Sequence, residues 1–183
     1  MNIVYDIGAN LGNFTQKFLD EGYKVVSVEP NPDIFKKLQD RFKGNENVTL
    51  INRAVSSDAG EIEFYIPNND RKHEVATCNK EWFEGRFKYV FDSGYITTKV
   101  GSITIDELIE EHGEPTRIKI DVEGHEVSAI RSMTKKHECV ISFEWTTEYF
   151  ENCLTVLKHL KELGFSEYNI MYSDKKQLKE NEW

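Results

Sequence analysis

Short apolar runs and longer amphipathic stretches alternate along the first third of the chain. The runs predict strands over 2–6, 24–29 and 48–55, and the stretches between them predict helices over 12–21 and 32–43. In the second helix Asn31 stands as the cap and Pro32 as the first helical residue, with Ile34, Phe35, Leu38 and Phe42 on one face. Strands alternating with helices in this way give a parallel sheet with helices on both faces.

The alternation breaks after the third strand. Asp58-Ala59-Gly60, between apolar runs over 48–56 and 61–66, reads as a hairpin turn rather than a crossover. Residues 67–100 form an insertion without a clear period until a late strand over 95–100. Beyond it, Thr104-Ile105-Asp106-Glu107 is a capping box opening a short helix that Gly113 closes, which makes Asp106 a first-turn helix acid. A fourth sheet strand over 117–121, a helix from His125 to about Lys136 and a strand over 139–144 follow. Leu154, Leu157, Leu160 and Leu163 mark one face of a last helix stopped by Gly164, and 165–183 is expected to add a terminal hairpin.

With 183 residues and 39% of them hydrophobic, the chain reads as one domain, 1–183, with an ordinary core. No apolar run approaches the ~20 residues of a membrane span, and the sequence opens on a structural strand with no room for a signal peptide, so a soluble cytoplasmic protein is expected. A net charge of −9 argues against a nucleic-acid partner and for a small or neutral acceptor. Cys78, Cys139 and Cys153 are odd in number and widely spaced, which indicates neither a disulfide framework nor a zinc site.

The chemistry concentrates at strand ends. Asp6-Ile7-Gly8-Ala9-Asn10-Leu11-Gly12 joins a strand to a helix by a glycine turn, where an open α/β sheet holds a nucleotide. An acid two residues before the first glycine would repel a pyrophosphate, and Asn10 stands where a dinucleotide fingerprint has its second glycine. S-adenosylmethionine carries a sulfonium, an ammonium and no phosphate, so it is the better fit. Glu29 ends the second strand roughly 20 residues after the turn, where a carboxylate can accept hydrogen bonds from both ribose hydroxyls. Asp121 and Glu144 end two further strands, so four acids share the carboxyl edge.

Together with Val28-Glu29-Pro30-Asn31-Pro32, Asn52-Arg53-Ala54-Val55-Ser56, Gly60, Thr104-Ile105-Asp106 and Lys119-Ile120-Asp121-Val122-Glu123-Gly124-His125-Glu126, the glycine turn resembles the FkbM family of S-adenosylmethionine-dependent methyltransferases. The resemblance spans about 3–145, and Asp-Val-Glu-Gly is its most specific part. It implies a single Rossmann-like class I methyltransferase domain with a mostly parallel seven-stranded sheet, helices on both faces and a β-hairpin insertion after the third strand. It also implies O-methyl transfer to a hydroxyl of a sugar, glycolipid or small natural product. By the same resemblance Asp6, Gly8, Asn10 and Gly12 surround the methionine part, Glu29 takes the ribose, Asn52, Arg53 and Ala54 pass the adenine, and Asp121 faces the methyl-transfer centre. Family members commonly carry helices ahead of the first strand; a second copy or a partner chain is what would complete the site here.

Methyl transfer to a hydroxyl needs positioning above all, and a base to take the proton. Asp121, Glu123, His125 and Glu144 are the candidates, Asp121 first by place and His125 first for titrating near neutral pH. A Mg²⁺ ion between Asp121 and Glu144 is the rival mechanism, but the sequence offers no evident third acidic ligand, so none is expected. The insertion, where Trp82, Phe83, Phe87, Tyr89, Phe91 and Tyr95 lie among basic residues including Arg86, is the expected acceptor surface. Two other classes remain: a non-catalytic cofactor-binding or accessory subunit, and a nicotinamide dehydrogenase, which Asp6 and Asn10 disfavour.

Overall fold

The computed structural model describes residues 2–68, 75–83, 94–145 and 149–170. In chain order the elements are β1 (Ile3–Ile7), α1 (Asn13–Asp20), β2 (Lys24–Val28), α2 (Pro32–Arg41), β3 (Val48–Ile51), β4 (Ala54–Val55), β5 (Gly60–Pro67), β6 (Tyr95–Ile103), α3 (Ile105–His112), β7 (Pro115–Ile120), α4 (Glu126–Arg131), β8 (Val140–Phe143) and α5 (Phe150–Leu163). A short 3-10 turn over Lys80–Phe83 lies between β5 and β6.

The main sheet is parallel throughout in the order β3-β2-β1-β7-β8. Its first strands are buried on both faces, which is why they read as unbroken apolar runs. The local signals hold where they are strongest. Asn31 accepts the backbone N–H groups of Asp33 and Ile34, Thr104 and Glu107 close a reciprocal capping box, and Gly164 ends α5 in the left-handed conformation.

Three expectations change. The strand expected over 48–55 breaks at Asn52-Arg53: β3 stays in the main sheet while β4 joins a second sheet of order β4-β6-β5. Asn52 makes the break by donating to the carbonyls of Glu29 and Pro30, which draws the chain over the end of β2. The chain does reverse around Asp58–Gly60, but the strands on either side of the turn do not pair with each other. β5 runs antiparallel to β6 along its whole length, from Gly60 opposite Ser102 to Pro67 opposite Tyr95, and the two residues of β4 run parallel to β6 on its other side. A nine-residue strand offers β5 a full ladder where β4 offers two residues.

Five strands, rather than seven, make up the main sheet among the described residues. Of the expected terminal hairpin, 165–170 has no regular structure and 171–183 lies outside the described residues. α4 stops at Arg131, well before Lys136, because the Ser132 hydroxyl donates to the Ala129 carbonyl and accepts the N–H of Ile105, turning the chain against the start of α3. On α5 the buried face is Cys153, Val156 and Leu160, while Leu154 is exposed. Leucines every three residues drift around a helix of 3.6 residues per turn, so Leu154 and Leu163 point to opposite sides.

Candidate active site

A cleft of about 270 Å³ opens at the carboxyl ends of β2, β1 and β7, which is where an open parallel sheet binds ligands. Gly8, Asn10, Glu29, Arg53, Ala54, Asp121, Glu123 and His125, all expected at the site, line it. Asp6, Gly12, Asn52 and Glu144 do not, and each has another task.

Asp6 is fully buried beneath the turn, where it accepts the Thr15 hydroxyl at 2.7 Å and lies 3.4 Å from the Lys119 ammonium. It anchors α1 to β1 and β7 from beneath the cleft lining. Gly12 caps α1 at φ 79, and a Cβ there would overlap the Phe42 ring, so this glycine lets α2 close on the turn. Gly8 has φ 75, and a Cβ there would overlap the Asp121 carbonyl oxygen. Its bareness lets the end of β7 come against the turn, so Gly8 makes room for backbone and Gly12 for the side chains of α2 and its C-cap.

Glu29 is buried to 7% exposure and accepts one backbone N–H on each oxygen, Asn10 at 2.9 Å and Asn31 at 2.8 Å. Burial pushes its pKa up to about 7 against these two donors. Each oxygen keeps a second lone pair for a hydroxyl donor. Asn10 itself has φ 51, a conformation asparagine tolerates better than most residues.

Lys119 is the residue that sequence reasoning missed. Its ammonium lies 3.4 Å from Asp6 and 3.3 Å from Asp121, donates to the Gly8 carbonyl at 3.1 Å and sits over the Phe14 ring at 4.9 Å. Burial opposes the charge, but the two carboxylates outweigh it and hold the lysine charged above its ordinary range. A lysine inside the apolar strand Arg117-Ile118-Lys119-Ile120-Asp121 was the available signal, since a buried ammonium needs partners.

Beyond Asp121 the acids crowd. Burial, then the charges of Asp121, Glu144 and Glu126, push Glu123 up to about 9, so this side chain is a neutral acid at pH 7. His125 moves the other way: burial lowers it to about 4, and its Nε2 lies 3.3 Å from the Ser56 hydroxyl. The expectation that His125 titrates near neutral pH is therefore corrected. Glu144 is exposed and belongs to a smaller hollow with Trp145 and Tyr149. Carboxylate oxygens of Asp121, Glu123 and Glu144 nevertheless lie within 4.8 Å of one another, so Glu123 supplies the third acidic group that the sequence did not reveal. Three hard oxygen donors are a chemistry suited to Mg²⁺.

Part of the insertion comes to this loop from above. Trp82 is 1% exposed, stacked on Tyr149 at 4.8 Å, and lies against Gly124, where a Cβ would overlap its ring. It is therefore a packing residue, which corrects its expected place on an open acceptor surface. Arg86, Phe87, Tyr89 and Phe91 lie outside the described residues.

The class the structure defines is an α/β domain with a parallel five-stranded sheet, a small second sheet and an acid-lined cleft at the carboxyl edge. The chain belongs to the FkbM family: residues 6–167 match the methyltransferase FkbM domain. It is 31% identical over 147 residues to the hexuronic acid methyltransferase AglP of Haloferax volcanii, covering 76% of this chain and 53% of that protein. The chain thus spans about half the length of that relative. A shorter stretch of 61 residues is 36% identical to the "Probable ribosomal RNA small subunit methyltransferase A" of Methanosarcina mazei, covering 33% of this chain and 21% of that one. Among solved structures, the precorrin-6y C5,15-methyltransferase of Geobacter metallireducens has the same fold, with a TM-score of 0.50 and 15% identity over 89% of this chain and 62% of that chain.

Proposed function

We propose that this chain transfers the methyl group of S-adenosylmethionine to an oxygen of a sugar acceptor, with hexuronic acid glycosides the first class to test. The observation that carries the reading is the lining of the cleft: Glu29, Asp121 and Glu123 line it, and the buried ammonium of Lys119 is taken up by Asp6 and Asp121. Such a lining suits hydroxyls, an ammonium and a sulfonium, and it disfavours a pyrophosphate. Glu29 would hold the ribose hydroxyls, the Gly8–Asn10 turn the methionine part, and Arg53 and Ala54 the adenine. The hexuronic acid class comes from the relative AglP.

Bound there, S-adenosylmethionine supplies a methyl group on an already activated leaving group. The protein's share is then positioning. Asp121, fixed by Lys119, accepts the hydrogen bond of the acceptor hydroxyl and takes its proton as the new bond forms. Glu123, protonated at neutral pH, donates a hydrogen bond to the acceptor without adding charge. The composition of 67–100, Trp82 apart, is the ground for taking that segment as the acceptor surface, with the charge of Arg86 suited to an anionic group on the acceptor.

Transfer of labelled methyl from S-adenosylmethionine to a panel of uronic acid and neutral hexose glycosides, read by mass spectrometry, tests the reading. Asp121→Asn is expected to lower turnover about 10²-fold or more with the fold intact. Arg86→Ala is expected to raise the acceptor KM and leave cofactor affinity unchanged. Cofactor binding with no methylated product across the panel would support the accessory-subunit reading instead.

A further inference from the structure

Residues 76–79, tied to β5 by an isolated bridge between Thr77 and Tyr65 and bent at Cys78, present two working faces to the site. Ala76 and Cys78 line the cleft, while Thr77 and Asn79, one residue out of step with them, point at the Asp121–Gly124 loop. The Thr77 hydroxyl donates to the Glu123 carbonyl at 2.7 Å and accepts the N–H of Asn79 at 2.9 Å. The Asn79 amide donates to the Gly124 carbonyl at 2.8 Å and accepts the N–H of Glu81 at 3.0 Å. Both side chains are thus used as donor and acceptor at once. Trp82 completes the grip from the next turn, pressed on Gly124 and backed by Tyr149, whose hydroxyl donates to the Glu81 carbonyl.

What this strap holds is strained. Glu123 has φ 53, a left-handed conformation that costs a non-glycine residue on the order of 1–3 kcal/mol and persists only where the surroundings enforce it. That conformation directs its carboxyl into the group formed with Asp121 and Glu144. From within the loop the Glu126 carboxylate accepts the N–H groups of Val122 and Gly124 on either side of Glu123, and from outside the strap binds the carbonyls of Glu123 itself and of Gly124.

We infer that Thr77 and Asn79 are positioning residues for the reaction: they keep Glu123 in its left-handed conformation at the methyl-transfer centre, from a segment whose other face forms the wall of the cofactor cleft. The inference rests on the cofactor reading above for the identity of the cleft's ligand, but the hold on Glu123 is testable without it. The strap also links the two, since a ligand pressing on Ala76 and Cys78 bears on the residues that hold Glu123.

The test uses the full chain labelled with ¹³C and ¹⁵N, with Glu123→Gln to assign the resonances of residue 123. Backbone shifts and the HN–Hα coupling of Glu123 report its φ directly. Wild type and Thr77→Ser, which keeps the hydroxyl, are expected to show the left-handed signature. Thr77→Val combined with Asn79→Asp is expected to lose it, because the first removes a donor and the second turns an acceptor toward the Gly124 carbonyl. Retention of the signature in the double variant overturns the inference. Calorimetry with S-adenosylhomocysteine on the same proteins separates the two claims: no binding to wild type sinks the cofactor reading and leaves the strap standing or falling on its own spectra. Where a methylated product is found, the double variant is expected to lower kcat about 10-fold or more with cofactor affinity within a few-fold, and Thr77→Ser to keep the wild-type kcat.

Discussion

Lys119 stands in the middle of an otherwise apolar strand, and its ammonium is shared among Asp6, Asp121 and the Gly8 carbonyl. Removing one partner of a buried charge cluster leaves the others unpaired, so Lys119→Met is expected to cost about 3–5 kcal/mol in chemical denaturation, with cofactor affinity falling as well. A loss under about 1 kcal/mol would show that the cluster does not bind the turn to β7. Glu123 makes a second prediction at this scale. Its pKa is pushed up to about 9, above that of an unfolded glutamate, so the folded state holds this proton more tightly. The stability it contributes is full below about pH 4.5 and is lost as pH rises toward 9. Burial raises Glu29 and Glu126 in the same direction, each to about 7. The melting temperature should therefore decline across that range, and Glu123→Gln should flatten the upper part of the decline. Equal slopes in the two proteins contradict the placement of Glu123. The candidate acids at strand ends were legible because the strands were. Lys119 was not, since its role depends on β1 and β7 lying side by side, a contact across more than a hundred residues.

Elements with a local cause could be read directly: the Asn31 cap, the Thr104–Glu107 capping box and the Gly164 stop are each written within a few residues. Elements defined by distant partners could not. β5 finds β6 some 30 residues on, and Asn52 breaks a continuous apolar run because the carbonyls after β2 are within its reach. Trp82 is the clearest case. Basic and aromatic neighbours suggested an exposed surface, whereas Gly124 and Tyr149 enclose it. Trp82→Ala is accordingly expected to cost about 3–5 kcal/mol by denaturant titration and to disturb the Asp121–Gly124 loop. Full stability with an altered acceptor KM would return Trp82 to the acceptor surface.

At the scale of the whole molecule, Asp6, Glu29, Asp121 and Glu144 gather at one sheet edge, and the buried Lys119 pairs with two of them, Asp6 and Asp121. None of the helices among the described residues is long and apolar enough to cross a membrane. The gathering of Asp121, Glu123 and Glu144 makes a metal test worthwhile: turnover that survives EDTA supports proton transfer to Asp121, and loss restored by Mg²⁺ replaces it with metal assistance. The most direct measurement is calorimetric titration of the chain with S-adenosylmethionine, S-adenosylhomocysteine and NAD. Micromolar binding of the first two, about −8 kcal/mol, weakened by Glu29→Ala and strengthened between pH 6 and 8 as Glu29 ionises, is the expected result. Binding of NAD with no binding of either methyl-donor ligand would contradict it.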